Sequence, residues 1–389
     1  MSGAELGVTG PELRVAMIGH AFMGAAHSHG WRTAPHVFDL PLRPVMAVLC
    51  GRSVSQASAD RLGWASVASS WQEVVVRDDI DLIDICVPGY LHEPVAIAAL
   101  AAGKHVLCEK PLANTLAEAR LMAAAASSAA SAGGVRAGGV RTMVGFNYRR
   151  VPAIARARAL IAQGGIGQVR EVRASYLQDW LADPAAPWTW RMSAEQAGSG
   201  ALGDIGSHII DLAQYLTGSQ VSAVSAVSET FVPERPGGRV TVDDTVMFTA
   251  KLANGALGSF EASRVATGRK NGLSIELYGT KGSLAFDLER LNELQVSGQR
   301  VLITEPGDPY LDAWWPPGHA LGWDATFVHQ VRDLVHGIAE GSDTAPTFAD
   351  GLGVQQVLDA VARSAAHQSV WTPVDRTGVE RTGVGKTGS

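Results

Sequence analysis

The sequence predicts an α/β Rossmann-type parallel sheet followed by an α+β domain with a large, mostly antiparallel open sheet. Three observations carry this. At 389 residues the chain is too long for one ordinary core. Over its first part, short apolar runs alternate with helical periods, the pattern of a parallel sheet covered on both faces. Farther on, apolar and polar residues alternate at period two in long adjoining runs, the pattern of strands with one face buried. The expected division is a first domain over 1–148, a second over 149–374, and a flexible glycine-rich polar tail over 375–389.

Taken in order, "RVAMIG" (14–19) reads as the first strand, followed by a helix through "AAHSHGWRTA". "PVMAVLCG" (44–51) is the next strand and "SQASADRLG" the next helix. A short helix over 71–76 precedes the apolar strand "IDLIDICV" (80–87). "HEPVAIAALAAG" is a helix ended by Gly103, and "HVLCEK" is a strand. Thr115 and Glu118 have the spacing of a capping box, opening an alanine-rich helix that runs to about Ser131. "TMVGFNY" (142–148) completes the first domain. Period-two runs follow at 168–180, 222–232, 244–263 and 272–287, with hairpin turns at Asn254-Gly255 and in "GTKGS". Helices are expected around 205–216, 324–339 and 352–367.

A net charge of −6 without a basic run argues against nucleic acid as a partner. No apolar stretch is long enough for a bilayer span, and the amino terminus is not a secretory leader, so a cytoplasmic protein without membrane attachment is expected. Cys50, Cys86 and Cys108 each end an apolar run and form no CxxC, which suits buried reduced thiols. A large alternating sheet packs one face on helices, and a second copy of the chain is a reasonable cover for the other.

"IGHAFMGAAH" (18–27) keeps the outer glycines of a GxGxxG turn, with Ala21 in the middle position. It lies between a strand and a helix, the context in which such a turn has meaning. Gly19 permits the tight turn, Gly24 lets helix and strand approach, and Ala21 is small enough to keep backbone near a pyrophosphate. Gly19, Ala21, Phe22, Met23 and Gly24 are therefore candidate cofactor contacts. The second strand ends in "CGRS" (50–53), with no carboxylate to hold ribose hydroxyls. Arg52 can instead meet a 2′-phosphate, which leans toward NADP, although it could stack on the adenine of either cofactor. His27 and His29 read as structural or surface histidines near the cofactor helix.

In "GALGDIGSHIID" (200–211), Asp204, His208 and Asp211 recur at i, i+4 and i+7 and share one helix face. Part of a metal site is one reading, but no second ligand cluster supplies the rest, and no metal is expected. A buried histidine oriented by a carboxylate is another. A carbohydrate or polyol site is the third, with Asp204 accepting from a substrate hydroxyl and His208 holding or relaying the reacting proton. Lys110, in "CEKPL" (108–112), ends a strand on the edge where ligands of open parallel sheets collect. It can take a hydroxyl proton while hydride leaves the same carbon. Glu109 beside it is suited to orienting backbone or the lysine, and Glu109 and Lys110 are also candidate cofactor contacts. Tyr148, Trp180, Trp188 and Arg191 offer ring faces and donors to a pyranose, or else only packing; Trp314 and Trp315 read as a lid or a subunit contact.

Together, "IGHAFMG", "EKP" (109–111) and "GDIGSHIID" (203–211) resemble the Gfo/Idh/MocA family of nucleotide-dependent sugar and inositol oxidoreductases over essentially residues 13–374. The resemblance implies a catalytic Lys110, with Asp204 and His208 at the reacting hydroxyl. It also implies a large open sheet that often forms dimer or tetramer contacts, hence a homodimer or homotetramer. The family's usual Thr-Pro-Asn turn reads "VPGYLH" (87–92): Pro88 and His92 fit as cofactor contacts, whereas Gly89 and Tyr90 depart from the pattern. Within the family, "VGFNYRR", "YLQDW" and "WTWR" look like the levoglucosan and related sugar dehydrogenases. That implies NAD-dependent oxidation of the C3 hydroxyl of an anhydrosugar or glucoside, and substrate contacts from Lys110, Tyr148, Trp180, Arg191, Asp204 and His208. The alternatives are a myo- or scyllo-inositol dehydrogenase, a glycoside-cleaving enzyme with transient oxidation, and a cofactor-binding sensor.

Overall fold

Six parallel strands, in the order β3-β2-β1-β4-β5-β6, build the first sheet of the computed structural model, which describes residues 10–131, 139–291, 293–297 and 322–377. They are β1 (Glu12–Ile18), β2 (Arg43–Cys50), β3 (Ser66–Ala68), β4 (Leu82–Ile85), β5 (His105–Cys108) and β6 (Thr142–Val144). Consecutive residues Val15, Ala16 and Met17 of β1 are all buried, so both faces of the sheet are covered, as its apolar strands require. The sequence reading missed β3, a three-residue edge strand too short to show a period. Helices α1 (Phe22–Val37), α2 (Gln56–Leu62), α3 (Trp71–Val75), α4 (His92–Ala101) and α5 (Leu116–Ser131) form the crossovers. The α5 capping box is present: Thr115 N–H donates to Glu118 at 2.9 Å and Glu118 N–H donates to Thr115 Oγ1 at 3.2 Å.

After α6 (Pro152–Ala162) the second sheet begins with β7 (Val169–Leu177), followed by the short helix α7 (Ala194–Ala197) and by α8 (Ser207–Thr217). Its other long strands are β8 (Val221–Glu229), β11 (Thr245–Leu252), β12 (Leu257–Ser263) and β13 (Gly272–Gly279), with a two-stranded ribbon β9 (Glu234–Arg235) and β10 (Gly238–Arg239) after β8. With β14 (Ser283–Asp287), β15 (Leu294–Val296) and β16 (Thr372–Pro373), the eight strands run β15-β14-β13-β7-β12-β11-β8-β16. Within this second sheet only the β7–β12 pair is parallel among the described residues. Along β11, Val246, Phe248, Ala250 and Leu252 are buried and Met247 is exposed, the period-two pattern seen in the sequence. On the outer face, Val227, Met247 and Leu257 are each about half exposed. Asn254-Gly255 makes the β11–β12 turn, with Gly255 at φ +88° where a Cβ would be strained.

The sequence boundary at 148 does not separate the chain in space. Helix α9 (Ala325–Glu340) returns to pack on α1, and its Val328, Val331, Leu334 and Val335 join one core with Val15, Met17 and Trp31. Gly30 permits this approach, since a Cβ there would lie 2.9 Å from the Phe327 carbonyl oxygen. Helix α10 (Phe348–Ala366) packs on both α5 and β8. It starts four residues before the position expected at 352, because Thr347 and Asp350 form a capping box. Arg376 holds the end of the described chain, donating to Gln356 at 2.9 Å and Gln214 at 3.1 Å. The rest of the expected tail, 378–389, and Trp314 and Trp315 lie outside the described residues.

The three cysteines are buried and unpaired with one another. His105 of β5 is also buried, and its Nδ1 accepts the Arg141 backbone N–H at 3.0 Å, which requires a neutral ring. Burial pushes its pKa down to about 4, and burial likewise lowers those of His92 and His208. An unfolded chain therefore binds more protons than the folded one between roughly pH 6.5 and 4, so stability falls as pH falls through that window. His105 alone accounts for about 3 kcal/mol of the loss. Urea midpoints at pH 7 and pH 4.5 check this, and equal midpoints would refute it.

Candidate active site

The order of the first sheet reverses between β1 and β4, and the crevice beyond their carboxyl ends is where an open α/β sheet takes a ligand. Gly19 turns the chain there at φ +106°; a Cβ would lie 2.4 Å from the Cys86 carbonyl oxygen. At Gly24 a Cβ would meet the Gly19 carbonyl oxygen at 2.3 Å, so α1 can start this close to β1 only with glycine. No side chain caps α1, and its first turn carries no acidic residue, leaving its positive end unneutralised beside the cleft. Ala21, Phe22 and Met23 line that cleft. The arrangement fits the pyrophosphate of a dinucleotide.

Pro88 and His92, from the turn after β4, line the opposite wall with Gly89. The buried His92 ring lies 3.0 Å from the Pro111 carbonyl oxygen through Nδ1 and 2.9 Å from that of Val87 through Nε2. It fastens the turn after β4 to the loop after β5, a structural part in shaping the wall. Gly89 has a local reason: a Cβ there would lie 2.1 Å from Asn114 Oδ1, so the Asn114 amide fills the space a side chain would need. Arg52 stands exposed past the end of β2 and makes no hydrogen bond or ion pair among the described residues.

Glu109 and Lys110 follow β5 into a cleft of about 180 Å³. Lys110 Nζ donates to the Asp204 carbonyl oxygen at 2.6 Å and lies 3.3 Å from its carboxylate. Asp204 sits on a wide π-type turn, Leu202–Gly206, ahead of α8. Asp243, just before β11, anchors that turn by accepting the Gly200 and Leu202 N–H groups at 2.7 and 2.8 Å. Arg264, at the end of β12 and fully buried, brings its guanidinium within 3.8 Å of the other Asp204 oxygen. Burial opposes ionisation of Asp204, but Lys110, Arg191 and Arg264 outweigh it and hold its pKa at about 2.

His208, one turn farther along, packs in an aromatic enclosure of Tyr148, Tyr176 and Phe146, its ring centre 4.6 Å from that of Tyr148. Burial and the Lys110 charge push its pKa well down, against Asp204, so the ring is neutral. Among the described residues neither of its ring nitrogens makes a hydrogen bond. Tyr148 and Tyr176 hydroxyls lie 3.0 Å apart, Tyr176 donates to Asn271 at 2.7 Å, and Gln178 donates to the same oxygen at 2.8 Å.

The shared helix face of Asp204, His208 and Asp211 does not become one site. Seven residues climb about 10 Å along a helix, and Asp211 turns to Arg149, which donates to it at 2.8 Å. Arg191 lines the cleft with its guanidinium over the Trp190 ring. Trp180, 41% exposed, lies under the Arg264 guanidinium and is not among the residues that line the cleft. Trp188 packs with the satellite core of Leu181, Met192, Val240 and Val242, and donates to the Arg239 carbonyl. His29 pairs with Asp324 at 3.2 Å. Sequence reasoning missed Asn114, Ser199 and Arg264 in the cleft. Arg264 stands among ordinary basic and small residues in "SRVATGRK", and only strand pairing delivers it to Asp204.

Residues 13–135 match the oxidoreductase family model with an NAD-binding Rossmann fold, and residues 154–285 match the GFO/IDH/MocA C-terminal domain. The chain is 42% identical over 394 residues to levoglucosan dehydrogenase of Pseudarthrobacter phenanthrenivorans, covering 93% of this chain and 98% of that protein. An oxidoreductase domain protein from Kribbella flavida superposes with a TM-score of 0.85 at 55% identity, over 94% of this chain and 100% of that one. The structure of levoglucosan dehydrogenase in complex with NADH and levoglucosan superposes with a TM-score of 0.83 at 43% identity, over 94% and 99% of the two chains. With a cofactor turn at β1, a lysine meeting an aspartate across the cleft, and both family domains present in order, the chain belongs to the Gfo/Idh/MocA family of NAD-binding oxidoreductases and is an enzyme close to the sugar dehydrogenases.

Proposed function

We propose that the chain oxidises a secondary hydroxyl of a pyranose-like sugar to the ketone with NAD, levoglucosan or a glucoside reacting at C3 being its substrate class. The observation that carries this is the meeting of Lys110 Nζ and Asp204 at the cleft that the β1–α1 turn also lines. Similarity to levoglucosan dehydrogenase, a protein solved with NADH and levoglucosan, supports the choice of sugar.

When bound, the oxidised nicotinamide supplies the hydride acceptor. Once Lys110 Nζ has released a proton to solvent, the alcohol carbon gives up its hydride while its hydroxyl proton passes to Nζ, leaving a ketone and restoring the ammonium. Asp204, ionised throughout the neutral range, holds Nζ in place and steadies the charge that develops on it. Neutral His208 keeps a nitrogen available to accept from a substrate hydroxyl. Arg191 and Trp190 form the wall that packs on the ring.

The test is reduced-cofactor absorbance in the near ultraviolet, with NAD and NADP run in parallel against levoglucosan, glucose, glucosides and myo-inositol. Turnover is expected with NAD and an anhydrosugar or glucoside. Turnover on myo-inositol alone, or release of an aglycone without net cofactor reduction, would replace this reading. In binding titrations Arg52→Ala should weaken NADP more than NAD; an equal effect on both would remove any phosphate-recognition role for Arg52.

A further inference from the structure

Beneath the cleft lies a buried cluster that the reaction above does not use. His27 of α1, 1% exposed, has Nδ1 at 2.9 and 3.1 Å from the two oxygens of Asp84, and Nε2 at 3.0 Å from Glu109 Oε1. Asp84 on β4, fully buried, also accepts from Trp31 Nε1 at 2.7 Å and from the Cys86 thiol at 3.5 Å. Both Asp84 oxygens already accept, Oδ2 from Trp31 and Oδ1 from Cys86, which places the carboxylate as the acceptor and the His27 Nδ1 facing both oxygens as its donor. Glu109 accepts the Lys110 backbone N–H through its other oxygen at 3.3 Å, and of the two carboxylates it is the one that lines the cleft, as Cys86 also does. Above the imidazole packs the Phe327 ring of α9, 5.3 Å between centres, which completes its enclosure.

His27 Nδ1, Asp84 and Cys86 are close enough together to suggest metal ligands. Both His27 nitrogens, however, are already directed at carboxylate oxygens. The remaining arrangement is electrostatic. Burial opposes a charge on His27, but Asp84 leads the influences that outweigh it, and the pKa lies well above the ordinary imidazole value.

We propose that His27 is a positioning residue, held as a doubly donating imidazolium between Asp84 and Glu109, and that the cluster as a whole places one net negative charge beside Lys110 at the cleft. The two carboxylates and one imidazolium sum to that single charge. Glu109, held from below, presents it to the cleft beside Lys110. The oxidised nicotinamide is cationic and the reduced one is neutral, so the charge selects the oxidised form. The inference rests on the proposed binding of NAD in this cleft.

Two measurements test it. Nitrogen-15 spectra of the histidine side chains of the full chain, with His27 assigned by its absence in His27→Gln, should show both His27 ring nitrogens protonated from pH 6 to 8. A neutral His27 ring at pH 7 would overturn the proposal. Separately, dissociation constants for NAD⁺ and NADH are measured by tryptophan fluorescence for the parent chain, Glu109→Gln and Glu109→Asp. Asp84 still pairs with His27 in Glu109→Gln, so the floor becomes neutral, and NAD⁺ should lose roughly tenfold in affinity relative to NADH. Glu109→Asp keeps the charge and should keep the ratio within about twofold of the parent. Equal weakening of both cofactor forms in Glu109→Gln would mean a purely structural cluster and sink the charge argument. Failure of the parent chain to bind either form would instead overturn the functional reading, and the two failures are distinct.

Discussion

Lys110→Ala is expected to lower kcat/KM about 10²- to 10⁴-fold, a loss of roughly 3–5 kcal/mol of transition-state stabilisation, while leaving cofactor affinity nearly intact. The proton acceptor would be gone, and no other described side chain donates to both the carbonyl and the carboxylate of Asp204 as Lys110 does. Arg191 and Arg264 remain, so Asp204 stays ionised and the cleft keeps its shape. Steady-state kinetics beside a cofactor titration would separate the two effects. Normal turnover would remove Lys110 from the chemistry, and a collapse of cofactor binding would make it a cofactor contact instead.

Arg149→Ala should be the most destabilising of the single substitutions considered, by about 3–5 kcal/mol. Arg149 is nearly buried on the turn after β6 and bridges Asp211 of α8 to Asp350 at the start of α10, donating at 2.8 and 3.3 Å. It also lies over the Tyr215 ring at 4.8 Å. Burial already raises the Asp211 pKa against the pull of Arg149, so losing the guanidinium would strand a carboxylate that is 1% exposed. The penalty belongs to the unpaired charge rather than to the pair. A double change, Arg149→Met with Asp211→Leu, should therefore cost less than Arg149→Ala alone. Urea unfolding of the variants decides this; a loss below about 1 kcal/mol in Arg149→Ala would show that water reaches Asp211.

Much of the fold was legible because its signals are local. Alternation between apolar runs and helical periods identified β1, β2, β4, β5 and β6, and period-two runs identified the long strands of the second sheet. Asn254-Gly255 and the Thr115–Glu118 box are visible because a turn or a cap involves residues within four positions of one another. The three-residue β3 was missed because it is too short to carry a period, and the start of α10 because its cap at Thr347 precedes the apolar pattern.

At the cleft, the glycine turn at Gly19, the strand-end lysine Lys110 and the Asp204–His208 pair could be named from residue type and spacing. Their relation could not. Lys110 and Asp204 are 94 positions apart, and only the docking of the second sheet on the edge of the first joins them. Arg264 reaches Asp204 through strand pairing, α9 returns to the sheet that the chain left long before, and His27 lies between two carboxylates, 57 and 82 positions away, one on β4 and one just past β5. The amino-acid order by itself determined which backbone turns are possible and which side chains can take or hold a proton. The tertiary structure decided which of those side chains share a space and how charged that space is, because the backbone's local preferences reach only a few residues whereas burial and Coulomb energy depend on distances set by packing.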